Sequence, residues 1–239
     1  MKRGLFTIIA ICASISMYAQ LNVQFHYDFG SHIYGDELSN RSNLTATIEN
    51  FAADKWGSTY FFVDANLGNN TMENVYAEFS RELRFWEPPL AIHLEYNGGL
   101  SGAGSYNDAY LLGGAYNWAN KDFSRTFSLQ LLYRYLARQV VGTKHAWQVT
   151  TVWGMHFAKG LYSFSGYADV SYDESVNGSI VVSSEPQFWF NLAALESVDD
   201  NLGLSIGAEL EISNNLVWPT DGKNNRFYAI PTLAAKWTF

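Results

Sequence analysis

The chain is short of several things, and each shortage removes a class of protein. Its one cysteine, Cys12, lies near the N-terminus, so the rest has neither a disulfide framework nor a Cys-ligated metal centre. Charged residues make up only 16% of the 239, against about 25% in an ordinary globular domain. Bases are scarcer than acids, 15 against 23, which argues against a nucleic-acid partner. No apolar run is long enough for a transmembrane helix. After the first twenty residues, no stretch carries apolar residues at helical spacing. A Gly-rich phosphate cradle, a His-rich metal motif and a Gly-x-Ser-x-Gly turn are missing too, so no cofactor is expected.

Aromatic residues are plentiful, at 16%, yet mean hydropathy is only −0.11. Rings without long apolar runs imply alternation, each apolar residue followed by a polar one. The opening "MKRGLFTIIAICASISMYAQ" is the exception. Lys2 and Arg3 precede an apolar stretch, and Ala19 suits cleavage, so residues 1–19 read as a signal peptide and 20–239 as the mature domain. A lipoprotein signal using Cys12 is the rival, but Ile11 is too bulky for the position before the modified cysteine.

The mature part holds about twelve period-2 stretches. "QLNVQFHYDFG" puts Leu21, Val23, Phe25, Tyr27 and Phe29 on one face, with Asn22, Gln24, His26 and Asp28 on the other. "STYFFVDANL", "FSLQLLYRY", "AWQVTTVWGMHF" and "LGLSIGAELEI" repeat the pattern. Several run about 9 to 12 residues, the length that a tilted strand needs to cross a bilayer. The links mostly alternate between long ("GSHIYGDELSNR", "GNNTMEN", "GGLSGAGSYND", "NNLVWPTDGKNNR") and short ("AADKWG", "FWEPP", "ANKD", "AKG"). Trp56, Trp86, Trp118, Phe157 and Trp237 fall beside the short links, where an interfacial girdle belongs. These features predict an all-β chain, a transmembrane antiparallel barrel of about 12 strands in the outer membrane of a Gram-negative bacterium. A secreted β-sandwich is the alternative.

In such a barrel the apolar parity meets lipid and the other lines the lumen. That rule turns inward Asp28, Glu49, Asp64, Glu78, Glu95, Asp169, Glu185, Glu209 and Glu211. Few bases oppose them, mainly Arg134 and Lys236. His26, His93 and His156 also face inward, with Tyr60, Phe62, Tyr76, Tyr167, Trp189 and Tyr228. A lumen rich in carboxylates repels anions, whereas ring faces beside hydrogen-bonding groups suit planar polar solutes. The closing "PTLAAKWTF" places Leu233, Ala235, Trp237 and Phe239 on the lipid face, and its terminal ring resembles the signal read by the barrel-assembly machinery.

"NFAADKWGSTYFFVDANL", then "NVYAEFSREL", resembles the Tsx-like nucleoside-specific channel-forming outer-membrane proteins. "SEPQFWFNL" and "LGLSIGAELEISNNL" are similar to that family's penultimate strands, with Glu185 and Glu209 at matching places. The resemblance implies a monomeric twelve-stranded barrel with a narrow channel for nucleosides, and it carries over Phe62, Asp64, Tyr76 and Glu78 as lumen residues. The candidate solute-binding set is therefore Phe62, Asp64, Tyr76, Glu78, Tyr60, His93, Glu95, Glu185, Trp189 and Glu209, with no catalytic or metal-binding residue. The expected partners are outer-membrane lipid and a small solute. A barrel lipid hydrolase using a His–Ser pair, and a plugged or adhesive barrel, are the competing functions. The acidic "YDESVNGS" link lacks the spacing of an EF-hand calcium loop.

Overall fold

The computed structural model of the protein describes residues 19–68, 71–87, 89–195, 198, 202–223 and 225–239. The signal-peptide assignment, Ala19 apart, lies outside the described residues. Strand follows strand: β1 (Ala19–Asp28), β2 (Leu44–Asp54), β3 (Gly57–Gly68), β4 (Thr71–Leu83), β5 (Leu90–Ser101), β6 (Gly104–Ala119) and β7 (Arg125–Leu136). Then come β8 (His145–Phe157), β9 (Tyr162–Tyr172), β10 (Ile180–Ser184), β11 (Gln187–Asn191), β12 (Leu204–Asn214) and β13 (Phe227–Thr238). β13 pairs antiparallel with both β12 and β1, from Asn22 opposite Thr238 to Asp28 opposite Thr232. The sheet closes on itself, which leaves no unpaired edge.

β10 and β11 are two halves of one stave. Ser184 lies opposite Ala168 and Gln187 opposite Ser165, so the register on β9 is unchanged across Glu185 and Pro186. Pro186 interrupts the ladder because it has no N–H to donate. Gly166 lies beside the break with φ +157°, and a Cβ there would sit 2.5 Å from the Glu185 carbonyl oxygen. The barrel therefore has 12 staves.

Contacts that skip a strand identify the concave face. Asn117 on β6 donates to Glu82 on β4 at 2.5 Å, and Arg134 on β7 to Ser171 on β9 at 3.2 Å. The His26 ring on β1 lies 6.0 Å from Trp189 on β11. Gln24, His26, Asp28, His93, Gln130 and Gln148 are buried on this face, whereas Leu94, Leu112, Leu131, Ile206 and Leu233 are exposed on the other. A soluble protein puts its polar side chains outside. Here the order is reversed, as period-2 patterning gives when the wet face is the inner one. That arrangement replaces the β-sandwich alternative. Trp56, Trp86, Trp118, Phe157 and Trp237 are exposed near the barrel end that holds β1's start and β13's finish. Trp237 stacks on Phe239 at 5.8 Å with planes 3° apart.

Two expectations need correction. "GGLSGAGSYND" is almost all strand, because β5 runs to Ser101 and β6 resumes at Gly104. Its glycines make room for rings: a Cβ on Gly99 would sit 2.2 Å from Tyr106 and one on Gly98 2.4 Å from the Tyr96 hydroxyl. Likewise β3 continues to Gly68 and β4 starts at Thr71, so "GNNTMEN" is not a long loop. After β1, a short helix α1 (Gly30–Tyr34) leads into a 3-10 turn, Gly35–Leu38. Among the described residues no helix is long and apolar enough to cross a membrane.

Candidate lumen site

The site begins with alternation on β3, which turns Tyr60, Phe62 and Asp64 to one side. Pairing with β4 sets Phe62 opposite Glu78 and Asp64 opposite Tyr76. The Phe62 ring centre lies 6.2 Å from Tyr60 and 6.0 Å from Tyr76. Tyr76 donates its hydroxyl to Glu78 at 2.7 Å, and Thr47 donates to Asp64 at 2.5 Å. Five of the sequence-derived residues thus form one continuous patch of rings and carboxylates.

The wall from β9 to β12 faces it. Gln187 donates to Glu209 at 2.6 Å, and the Trp189 Nε1–H donates to Gln187 at 3.0 Å. Tyr167 and Ser183 share a 3.1 Å hydrogen bond. Glu185 lies within electrostatic reach of Glu209, Glu211 and Asp64, and Tyr60 within reach of Glu49, Glu78, Asp64 and Glu185. β3 and β11 sit on opposite sides of the closed sheet, so these charges meet across the passage rather than along one wall.

Trp189 is placed differently from the other rings. It is wholly enclosed, with the Lys236 ammonium 4.0 Å from its ring centre and His26 against its edge. Its faces pack the wall. His93 and Glu95 lie further round, where His93 bridges Glu95 at 2.9 Å and Glu82 at 3.4 Å.

The mouth holds residues that alternation alone does not find. The segment after β1 folds over the inner faces of β12 and β13. Arg41 bonds Asp28 at 2.8 Å and also bonds Glu211, so two inward carboxylates are matched by a loop arginine. Glu37 accepts from Arg226 at 2.5 Å and from the Tyr228 hydroxyl at 2.6 Å, and its carbonyl accepts the Thr220 N–H at 2.9 Å. Leu38, Val217, Tyr228 and Ile230 are buried together beneath it. Tyr228, expected in the open lumen, lies under this loop instead. The Tyr228 hydroxyl and Arg226 hold the Glu37 carboxyl below its usual range. Asp221 is also lowered, by the Lys223 backbone N–H and by Arg226. The acid excess of the inner face is the sequence signal that called for Arg41.

Two further arrangements bear on the competing functions. His156 Nδ1 and Ser163 Oγ are 2.9 Å apart, and Asn191 donates to the same Ser163 oxygen at 2.8 Å. A hydrolase triad needs its third group on the far nitrogen of the histidine. Here that group bonds the serine, and Ser163 is buried. In the acidic link after β9, Asp173 accepts from the N–H and hydroxyl of Ser175, and Glu174 from Tyr172 and the Thr143 N–H. Both carboxylates are thus occupied, Asp173 within the link and Glu174 by β9 and the link before β8. Among the described residues no cluster of three or more His, Cys, Asp or Glu could hold a metal.

The profile of one family, described as "Domain of unknown function (DUF5020)", matches residues 19–239. The chain belongs to that family. A search of curated proteins finds no match. Among solved structures, the barrel is similar to NanC porin, with a TM-score of 0.56 at 11% identity over 92% of this chain and 100% of that one. It is also similar to KdgM porin, with a TM-score of 0.50 at 8% identity over 92% and 99%. At such identities the likeness is one of fold, and the fold shared is that of porin barrels.

Proposed function

We propose that this DUF5020 protein is an outer-membrane channel of a Gram-negative bacterium that passes small polar solutes by passive, selective diffusion. The carrying observation is the inner-face grouping in which Tyr60, Phe62, Tyr76 and Tyr167 stand among Asp64, Glu78 and Glu185. Ring faces there meet a planar solute, and the carboxylates accept its hydrogen bonds. Nucleosides are the solute class this reading favours, and the sequence resemblance to the Tsx-like channels supports it. The protein works as a monomer, is inserted through its C-terminal strand, and performs no chemistry on the solute.

Liposomes containing the purified protein test this directly. They should admit adenosine or thymidine faster than an equally small sugar, and Asp64→Ala or Glu78→Ala should change that rate while the protein still assembles. Equal rates for every solute, or none, overturn the reading. The latch of Glu37, Arg41 and Arg226 at the mouth favours a second reading, a plugged barrel. In that case removing the latch, and not altering Glu78, would open the passage.

A further inference from the structure

Charge is spread unevenly along the chain. From Phe123 to Ala168 the sequence has no Asp or Glu, yet it carries Arg125, Arg134, Arg138, Lys144 and Lys159. The whole chain has 23 acids to 15 bases, so β7 and β8 make a basic hairpin in an acidic protein.

The outer face of this hairpin is grooved. Leu131 lies opposite Val149 and Tyr133 opposite Trp147, all with the parity of the exposed apolar band. These four line an open groove of about 470 Å³, within the size range of small-molecule sites. Leu131, Tyr133 and Trp147 are 60%, 47% and 43% exposed, so the barrel itself leaves the groove uncovered.

Bases stand at the end of the groove nearer the rim, opposite the rim that holds the start of β1. The Tyr133 hydroxyl is 2.5 Å from His145 Nδ1. When Tyr133 donates there, His145 Nε2 carries the ring hydrogen and has a donor to offer. Lys144 is exposed and lies three residues from Trp147, about 10 Å along the chain. Its Nζ donates to the Ala137 carbonyl at 3.3 Å, and it makes no ion pair among the described residues. Acids that reach this hairpin are already engaged. Asp108 is held by Arg138 and Tyr96, and Glu174 by Tyr172 and the Thr143 N–H.

An apolar groove flanked by rings, with bases just beyond it, matches a hydrocarbon chain below an anionic head. A two-fold contact with a second copy of the chain would instead set these bases against their own kind. We propose that the outer face of β7 and β8 binds one anionic lipid of the outer leaflet. Its acyl chain lies in the groove between Tyr133 and Trp147, and its phosphate meets Lys144 and His145. The site rests on the membrane placement of the barrel and not on its conducting.

Native mass spectrometry of the detergent-solubilised chain tests this with three probes. Dioleoylphosphatidylglycerol is compared with dioleoylphosphatidylcholine, which has the same chains and a zwitterionic head, and with glycerol phosphate, which has no chain. Phosphatidylglycerol should be retained as a single bound molecule at concentrations where the other two are not. Lys144→Gln and Trp147→Ala should each weaken it about tenfold, the scale of one charge-assisted hydrogen bond. Lys144→Arg should keep it. Lys159→Gln, in the same acid-free stretch but at the other rim, should change nothing. Retention of the compact form in unheated gels checks that each variant is folded, and Tyr133→Ala replaces Trp147→Ala if that one is not. Equal retention of the two lipids, retention of glycerol phosphate, or parent affinity in either folded variant overturns the site. Conductance separates the two proposals. A barrel that holds the lipid and carries no current keeps the site and removes the channel, and a conducting barrel that holds none does the reverse.

Discussion

At the scale of single residues, the sequence was most legible where side-chain parity decides the outcome. Parity turns Phe62, Asp64, Tyr76 and Glu78 inward on β3 and β4, and the resemblance to the Tsx-like channels singles out the same four. Phe62→Ala should weaken nucleoside binding about tenfold, as base–aromatic stacking is worth about 1–3 kcal/mol. Titration of the current by adenosine measures it. Parity could not say that Trp189 would be covered, because Lys236 and His26 come from strands far away in sequence. Glycine was ambiguous for a similar reason. Gly98 and Gly99 look like turn residues and are strand residues that yield space to Tyr96 and Tyr106. Gly57 is a true constraint: its φ is +143°, and a Cβ there would sit 2.0 Å from the Glu82 carbonyl oxygen. Gly57→Ala should cost more than about 1 kcal/mol. Gly102→Ala, which meets nothing within 4 Å, should be close to neutral. Thermal conversion of the compact gel form compares the two.

At the scale of elements, strand existence followed from period 2, and strand ends did not. The ends depend on which partner continues the ladder, so β3, β4, β5 and β6 outrun the loops expected between them. The latch at the mouth was out of reach for another reason. Glu37 and Arg226 are separated by most of the chain, and only barrel closure brings β13 beside β1. Its pH dependence has a definite sign. Glu37 and Asp221 have carboxyls lowered by their partners, so their contribution is present above the ordinary carboxylate range. It is lost as pH falls through that range toward the lowered values. Acidification over this window should therefore loosen the loop and raise gating noise in single-channel records, with a quiet trace at neutral pH. Glu37→Gln should be noisy already at neutral pH. A trace as quiet as that of the parent would mean that the apolar cluster around Leu38 holds the loop alone.

At the scale of the whole molecule, closure and face inversion make a single statement about environment. The exposed band of Leu94, Leu112, Leu131, Ile206 and Leu233 is apolar, as a face toward hydrocarbon must be, and the polar side chains are gathered on the inner face. Leu131→Arg places a charge near the middle of that band and should destabilise the barrel in vesicles by about 2–4 kcal/mol. Gln130→Arg, one residue away and facing inward, should cost much less. Urea titration of folding into vesicles compares them. The fold class was readable because twelve staves repeat one pattern. The solute was not, since a passage is shaped by residues from many strands at one level, whose alignment only the register reveals.

The most direct test of the central claim is the current through one barrel in a planar bilayer, with and without nucleoside. The account predicts discrete unitary steps that adenosine reduces at concentrations where a sugar of similar size has no effect. A folded, inserted protein that carries no current, or whose current adenosine and sugar change alike, would contradict it.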